Sequence, residues 1–497
     1  MTTPVILALD IGTSSSRTAI YDTKGKRLLA TTAQFAYPLI TGPDGQAELR
    51  PADLEKAIAR AFAKTLQVWR KTKSRAPIAG IGVSCFWHSL LGLDKQGQPL
   101  TPIYTWADSR CRTEARDLRE TMGEKSVHAA TGCMVRTSFW PAKLLWLRKS
   151  QPGLFRKVDR WVSPAEWIQE KWCGQATASL SMASGTGLLH AQTLQWHGPL
   201  LKQCGLRQNQ LNPLSDAPSH VTPAIARRFP ELTNTPWFPA IGDGAASNLG
   251  SGATNPGVAA INVGTSAALR VVVATKAVRP KSPAPFGLFS YRVDDHRRLM
   301  GGAVSNAGNL RAWAIRELNL PTDPATIEKL LAARPGPVKE LTLLPYWIAE
   351  RAPSWPEEMP SAVVGITQAT RALDLLQAFQ EATYHRLAQI GEALESALRQ
   401  KLVFIVSGGI QKSPSALQRL ANVLGRPVHA SKEPEASLCG AACFAMDQLG
   451  LKRPAPQLGP KINPQRAISR EYTAARQRQI ELESLFRDSG LVTTPNV

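Results

Sequence analysis

Long apolar runs are missing from the 497-residue chain, and none reaches the length needed to span a membrane. A helical membrane protein is thereby excluded. The short run Val5–Leu9 stops at Asp10 and has neither a basic flank nor a small-residue cleavage site, so it does not read as a secretion signal. Cysteine is sparse. The seven residues, at 85, 111, 133, 173, 204, 439 and 443, include no Cys-x-x-Cys pair, and their number is odd. They read as packed structural thiols in a reducing compartment, the cytoplasm. Cys439 and Cys443 lie four apart in an Ala-rich segment, a pattern of small residues packed along a helix. Acidic residues are also short: 38 Asp and Glu stand against 59 Lys and Arg, a formal charge of +21. Such a field attracts anions, among them ATP, a sugar acid or nucleic acid. Yet there is no long Lys/Arg block and no basic motif interleaved with aromatics, so nucleic acid is not an expected partner. Neither a GxxxxGK[ST] phosphate loop nor a dinucleotide-binding glycine fingerprint occurs.

The chain does contain itself twice. Residues 7–17 read LALDIGTSSSR and residues 259–270 read AAINVGTSAALR, about half the chain apart. In each, apolar residues lead to Asp10 or Asn262, then to Gly-Thr-Ser, then to a cation, Arg17 or Arg270. Both copies read as β-hairpins that open a domain, the first continuing through a turn at Lys24-Gly25-Lys26 into another strand. A tight Gly-Thr-Ser turn aims backbone N–H groups and hydroxyls at one point, which suits a phosphate oxygen. Asp10 at the strand end is placed to hold Mg²⁺ directly or through water. Two such turns imply two loops facing each other across a cleft.

Strands alternate with helices, which makes the chain α/β. Amphipathic helices are expected over 51–71, 141–149, 163–172, 370–400, 413–425 and 466–486, several of them starting at Pro. Ser163, Pro164 and Glu166 form a capping pattern. Trp140, Trp146, Trp161, Trp167 and Trp172 fall at helical spacings and read as core.

Three segments bear on chemistry. In AIGDGAASNLGSGA (240–253) an acidic residue sits between glycines at a helix start. Asp243 is either a helix cap or a carboxylate that accepts a hydroxyl proton during phosphoryl transfer. In SGGIQKSP (407–414), Gly408 and Gly409 follow an apolar strand and leave room for a flat adenine. GGAVSNAGNLRAW (301–313) is a third Gly-rich junction between strand and helix. In the first half, Trp87-His88 and Trp106-Ala107-Asp108-Ser109-Arg110 stand at strand ends and offer aromatic faces and polar groups to a sugar. Asp108 and Arg110 could equally be a local salt bridge.

DIGTSSSR, WADSR, AKLLWL, SMASGTGL, DGAASNLGSGA, NVGTSAALR, ERAPSW and SGGIQKSP occur in the order found in the FGGY carbohydrate kinases, which the chain resembles over about residues 5–450. FWHSLLGLD, TWADSR and SLSMASGTGL look most like the gluconokinase branch, with xylulokinase close. The resemblance implies two actin-like (ribonuclease H-like) ATPase domains with a cleft between them. A sugar-binding domain over 1–250, a nucleotide-binding domain over 251–450 and a Pro-rich segment with a terminal helix over 451–497 are expected. It implies that Asp10, Gly12, Thr13, Ser14 and Arg17 serve Mg-ATP, with Asp10 as the metal residue. Gly264, Thr265, Gly308, Gly408 and Gly409 line the nucleotide site, with Ser413 near the base. Asp243 is the implied catalytic base, and Trp87, His88, Asp108 and Arg110 belong to the substrate side. Expected activity is ATP-dependent phosphorylation of a sugar acid, most simply gluconate to 6-phosphogluconate. A xylulokinase or another sugar or polyol kinase is the alternative, and a non-catalytic ATP-binding sensor or scaffold is the alternative of another class. A homodimer is left open. Many relatives have Gln-Met-His-Gly where this chain has Phe86-Trp87-His88-Ser89, and their base lies in a Gly-Gly-Asp or Ser-Asp context rather than in Gly242-Asp243-Gly244.

Overall fold

The structure is a computed structural model and describes residues 3–72, 76–275, 284–357, 359–453, 455–456 and 458–489. Two sheets organise it, and each is built around one of the repeated hairpins. In the first, Val5–Ile11 runs antiparallel to Ser15–Asp22 and parallel to Ile78–Cys85. Ala33–Ala36 and Ile241–Gly242 complete the two edges of this five-stranded sheet. In the second, Val258–Val263 runs antiparallel to Ala267–Ala274 and parallel to Val403–Ser407. Five flanking and central strands recur in this larger, seven-stranded sheet in the same sense. A parallel neighbour on one side and a hairpin partner on the other put the Gly-Thr-Ser turn of each copy at the carboxyl end of its parallel pair.

The two turns are not equal in length. Gly12 N–H bonds Ser15 O, whereas Gly264 N–H bonds Ser266 O. Asp10 therefore pairs with Arg17 across its hairpin, but Asn262 pairs with Ala268. Arg270 is thus not the positional counterpart of Arg17; it lies opposite Ala260.

The helices follow their start signals. Pro51–Lys71 buries one face against the first sheet. Pro164–Cys173 carries the Ser163/Glu166 capping box. Ala372–Leu398 and Pro414–Leu424 cover the second sheet. Trp140, Trp161, Trp167 and Trp172 are buried. Residues 29–31, expected to extend a strand, form a short 3-10 turn before Ala33–Ala36. There the Thr31 hydroxyl caps the turn by donating to Leu28 O and accepts from Ile20 N–H.

Between the sheets lie two crossing helices, Asp243–Ser251 and Ala436–Gln448. A Cβ on Gly440 would stand 1.7 Å from Ala246 O, and one on Gly250 1.9 Å from Ala436 O. Small residues at these points let the backbones touch. Cys439 and Cys443 belong to this small-residue helix, and all seven cysteines are free and buried. The helix Ala436–Gln448 also packs on the first sheet: a Cβ on Gly82 would stand 1.9 Å from Ala441 O. No helix among the described residues is long and apolar enough to cross a membrane.

Candidate active site

A cleft opens where the two Gly-Thr-Ser turns converge, and it holds two adjoining cavities. The smaller, of about 360 Å³, gathers Asp10, Gly12, Thr13 and Arg17 from the first half. Asp243 and Gly244 enter it from the crossing helix, and Asn262, Arg270 and Gly408 from the second sheet. The larger, of about 780 Å³, is lined by Gly264, Thr265, Gly308, Gly409 and Ser413 and by the apolar faces of Ile410 and Tyr384. Val263-Gly264 and Gly408-Gly409 run along the boundary. The larger space has the size and flat apolar lining of a nucleotide-base site.

The glycines of this boundary are there for different reasons. Gly408 has φ +92°, and a Cβ on it would lie 2.4 Å from Val263 O. Gly308 is squeezed by Gly264 O, which would lie 2.4 Å from its Cβ. Gly409 is unhindered, with Val263 O the nearest atom at 3.8 Å, so its missing side chain leaves space open in the cavity. Ser413 caps the helix Pro414–Leu424 by accepting from Ala416 N–H and donates to the carboxylate of Glu328.

Asp10 is buried, and its Oδ2 accepts from Arg17 at 2.6 Å and from Ser437 at 2.9 Å. Arg17 also reaches Glu435, at 2.5 Å, on the chain entering the second crossing helix. Thr13 Oγ1 accepts from the Trp106 indole N–H at 3.1 Å. Ser14 is exposed and lines neither cavity; its carbonyl accepts from Tyr37 N–H. Among the described residues, no three acidic, imidazole or thiolate groups converge into a cage for a metal. The smaller cavity does hold the carboxylates of Asp10, Asp243, Glu433 and Glu435, a set that fits Mg²⁺, which keeps much of its water and binds through one or two carboxylates plus phosphate oxygens.

Asp243 is the first residue of its helix and not its cap; Gly242 holds the cap position. Its Oδ1 accepts from Gly244 N–H at 2.8 Å. The carboxylate touches water in the cleft while protein surrounds it. That partial desolvation raises its pKa, opposed by Arg270 and reinforced by Asp10.

On the sugar side, His88 takes φ 68°, rare for a residue with a side chain. Its Nδ1 is bonded to Gly185 O at 2.5 Å, and its ring packs against Phe139 and Tyr291. Burial lowers its pKa to about 3, so the ring stays neutral, and with Nδ1–H donating to the carbonyl, Nε2 accepts. A neutral His88 lends no positive charge to an anionic substrate. Trp87 is no open stacking platform either: its indole is buried beneath Gly242.

Asp108 and Arg110 form the local salt bridge that the sequence offered as the alternative to a substrate contact. Asp108 is buried, with one oxygen accepting from Ala47 N–H and both taken up by Arg110. Arg110 also pairs with Glu48 and lies 4.5 Å from the centre of the Trp146 ring. With its charge neutralised twice, it shapes the loop and offers no free cation.

Arg17 and Arg270 line the smaller cavity and Arg311, Arg316 and Lys412 the larger, while Arg351 stands on the sugar side near Tyr291 and Arg270. Arg351 lies 5.7 Å from the Trp106 ring centre and is anchored by Ser305 Oγ at 3.0 Å and Val304 O at 3.2 Å. Among the described residues no carboxylate stands within ion-pair distance of it. Lys143 is buried nearby on the carbonyls of Thr137 and Ser138. Trp106 and Arg351 were visible only as members of the WADSR and ERAPSW motifs. Nothing in their separation of 245 positions shows that the fold brings them face to face.

Family models match both halves of the chain. Residues 5–250 match the N-terminal domain, and residues 259–448 the C-terminal domain, of the FGGY family of carbohydrate kinases. The chain belongs to that family: it has the two-domain actin-like (ribonuclease H-like) fold and is an ATP-dependent sugar kinase. It is 26% identical over 462 residues to a gluconokinase of Bacillus licheniformis, covering 90% of this chain and 88% of the relative. Crystal structures of a gluconate kinase and a ligand-bound xylulose kinase, both from Lactobacillus acidophilus, superpose with TM-scores of 0.88 and 0.89 at 26% and 25% identity. Each covers 98% of this chain, and the match spans 100% and 99% of those chains.

Proposed function

We propose that this kinase phosphorylates a sugar acid, gluconate, at its terminal hydroxyl. One observation carries the choice of an anionic substrate: the half-buried Arg351 lies against Trp106 with no carboxylate within salt-bridge distance among the described residues. The Glu350 carboxylate acts on it from farther off, but its oxygens are already taken up by the N–H groups of Ser305, Asn306 and Arg351, so the guanidinium charge is only partly compensated. A substrate carboxylate would supply the missing charge, where a neutral ketose would not.

In this reading ATP lays its adenine in the larger cavity against Gly409, and its phosphates run over the two Gly-Thr turns. Asp10 would hold Mg²⁺, which supplies neutralising charge on the phosphates. The sugar lies between Trp106 and His88, whose neutral Nε2 accepts from a hydroxyl. Its terminal oxygen attacks the γ-phosphorus as the bond to the departing ADP oxygen breaks, and Asp243 takes the hydroxyl proton. Arg270 and the turn N–H groups stabilise the charge that spreads over the phosphoryl oxygens. Free, buried thiols fit a cytoplasmic enzyme.

Two variants test this. Asp243→Asn is expected to abolish turnover and leave ATP affinity within about threefold of wild type, since it removes only the proton acceptor. Arg351→Gln should cut kcat/KM for gluconate at least tenfold, the worth of a charge-assisted hydrogen bond of about 1.5–3 kcal/mol, and change that for D-xylulose much less. Coupled ADP-release assays on both sugars read both effects. Wild-type preference for D-xylulose would overturn the substrate and leave the kinase standing.

A further inference from the structure

Three glycines near the catalytic carboxylate are crowded by one shared neighbour. A Cβ on Gly242 would lie 1.7 Å from Trp87 Cε2, one on Gly185 2.3 Å from Cδ1, and one on Gly244 2.9 Å from Cζ3. None of the three has a positive φ, so their backbones would accept other residues. The indole is what excludes them, alone at Gly242 and Gly185 and together with the Arg270 guanidinium, 3.0 Å away, at Gly244. It is 5% exposed, and its Nε1–H donates to Ser181 O at 3.0 Å. The same Ser181 accepts, at its Oγ, from Gly242 N–H at 3.1 Å. Trp87 is fixed from its other side by the strained backbone of His88 and by Tyr291, whose ring centre is 4.8 Å away.

A rigid aromatic thus fills the space directly under the Gly242-Asp243-Gly244 turn and is tied to the residue that holds that turn. We infer that Trp87 is a positioning residue for phosphoryl transfer: it wedges the helix start so that the Asp243 carboxylate is held up toward the sugar hydroxyl. This rests on the reading of Asp243 as the proton acceptor. It also explains why Trp stands in this chain beside a glycine-flanked Asp: the larger side chain requires the smaller neighbours. Without the indole, the turn can sink into the vacated volume, and a displacement of about 1 Å of a catalytic group is enough to cost on the order of 100-fold.

The test is a double-mutant cycle on the full chain. Trp87→Leu is expected to lower kcat on the best sugar by about 10- to 100-fold, with KM for ATP within about twofold. Gly242→Ala should be severely impaired in the wild-type background, because its methyl meets the indole, and much less so when combined with Trp87→Leu. Trp87→Phe, which keeps an aromatic wedge, should recover part of the lost kcat and covers the case in which Trp87→Leu does not fold. A folded Trp87→Leu enzyme with wild-type kcat overturns the inference. So does a Gly242→Ala penalty that is the same in both backgrounds. Asp243→Asn measured alongside separates the failures: if it stays active, the base assignment falls and takes the wedge's catalytic role with it. If it is dead and the cycle is additive, the wedge alone falls.

Discussion

Asp243 is pulled in two directions. Crowding in the cleft penalises its charged form and Asp10 adds repulsion, while the Arg270 guanidinium favours ionisation. Tyr291 and Cys85 also face it, both held protonated by burial. The net effect is a raised pKa, so the base form is lost as pH falls through a value above the ordinary 3.8. A bound sugar must meet an ionised Asp243, and the acid limb of kcat/KM should therefore lie above the range of an exposed aspartate. Arg270→Gln removes the opposing charge, so the limb should move to still higher pH, together with a fall in the plateau. A kcat/KM profile from pH 4 to 9 for both proteins checks this; an unmoved limb means that Arg270 does not govern the ionisation. At this scale the sequence was partly readable. Asp10 stands out at a strand end two residues before Gly12, and Asp243 at a helix start between two glycines. Arg110 does not betray its role, because Glu48 is 62 residues away in sequence. Arg351 is hidden for a similar reason: its loop is gripped by Arg386, which donates to Ala352 O and Ser354 Oγ and pairs with Glu483 of the terminal helix.

Elements were more legible than contacts between them. Pro at the first helical turn, Ser caps and Gly ends mark helix boundaries locally, since they satisfy groups that the helix itself leaves unpaired. The two hairpins were visible as a repeat. Their difference of one residue was not, because register depends on which N–H closes the turn. The crossing of the helices Asp243–Ser251 and Ala436–Gln448 is likewise a tertiary fact, although Gly440 and Ala441–Ala442 give it a composition. The Gly408-Gly409 turn allows folding and binding to be separated. Gly408 needs its positive φ and its close approach to Val263, so substitution there strains the backbone. Gly409 needs neither. Gly409→Leu should fold with a Tm close to wild type, and its side chain should occupy the base cavity. We expect ATP affinity to fall at least 100-fold, about 2.7 kcal/mol or more, as measured by nucleotide titration calorimetry. Normal titration of the folded variant would place the adenine elsewhere.

Across the whole molecule, function depends on how the halves meet. They touch at the crossing helices, at Arg17–Glu435 in the cleft, at the bonds that Ser290 N–H donates to Gly132 O and Arg292 N–H to Ser184 Oγ, and beside Trp355. There Glu357 of the second half is held by Arg119 at 3.3 Å and Arg136 at 3.2 Å, both from the first half. Arg136 also pairs with Glu124 and stands 5.3 Å from the Trp355 ring. Arg119 and Glu357 are partly exposed, at 22% and 23%, while Arg136 is buried, so solvent screens the Arg119 contact most and the clasp contributes about 1 kcal/mol to closure. Closure excludes water and commits the sugar. Glu357→Gln keeps the shape and removes the charge, so the closed state should lose that bias. The expected result is a KM for sugar raised roughly fivefold, the equivalent of about 1 kcal/mol, with a smaller change in kcat. ATP hydrolysis in the presence of sugar should increase relative to sugar phosphorylation, because water reaches the γ-phosphate more often. Added salt should narrow the gap between variant and wild type, since it weakens an ion pair only in the latter. If KM, the hydrolysis ratio and their salt dependence all match wild type, the Glu357 contacts play no part in closure, and the remaining contacts between the halves carry it.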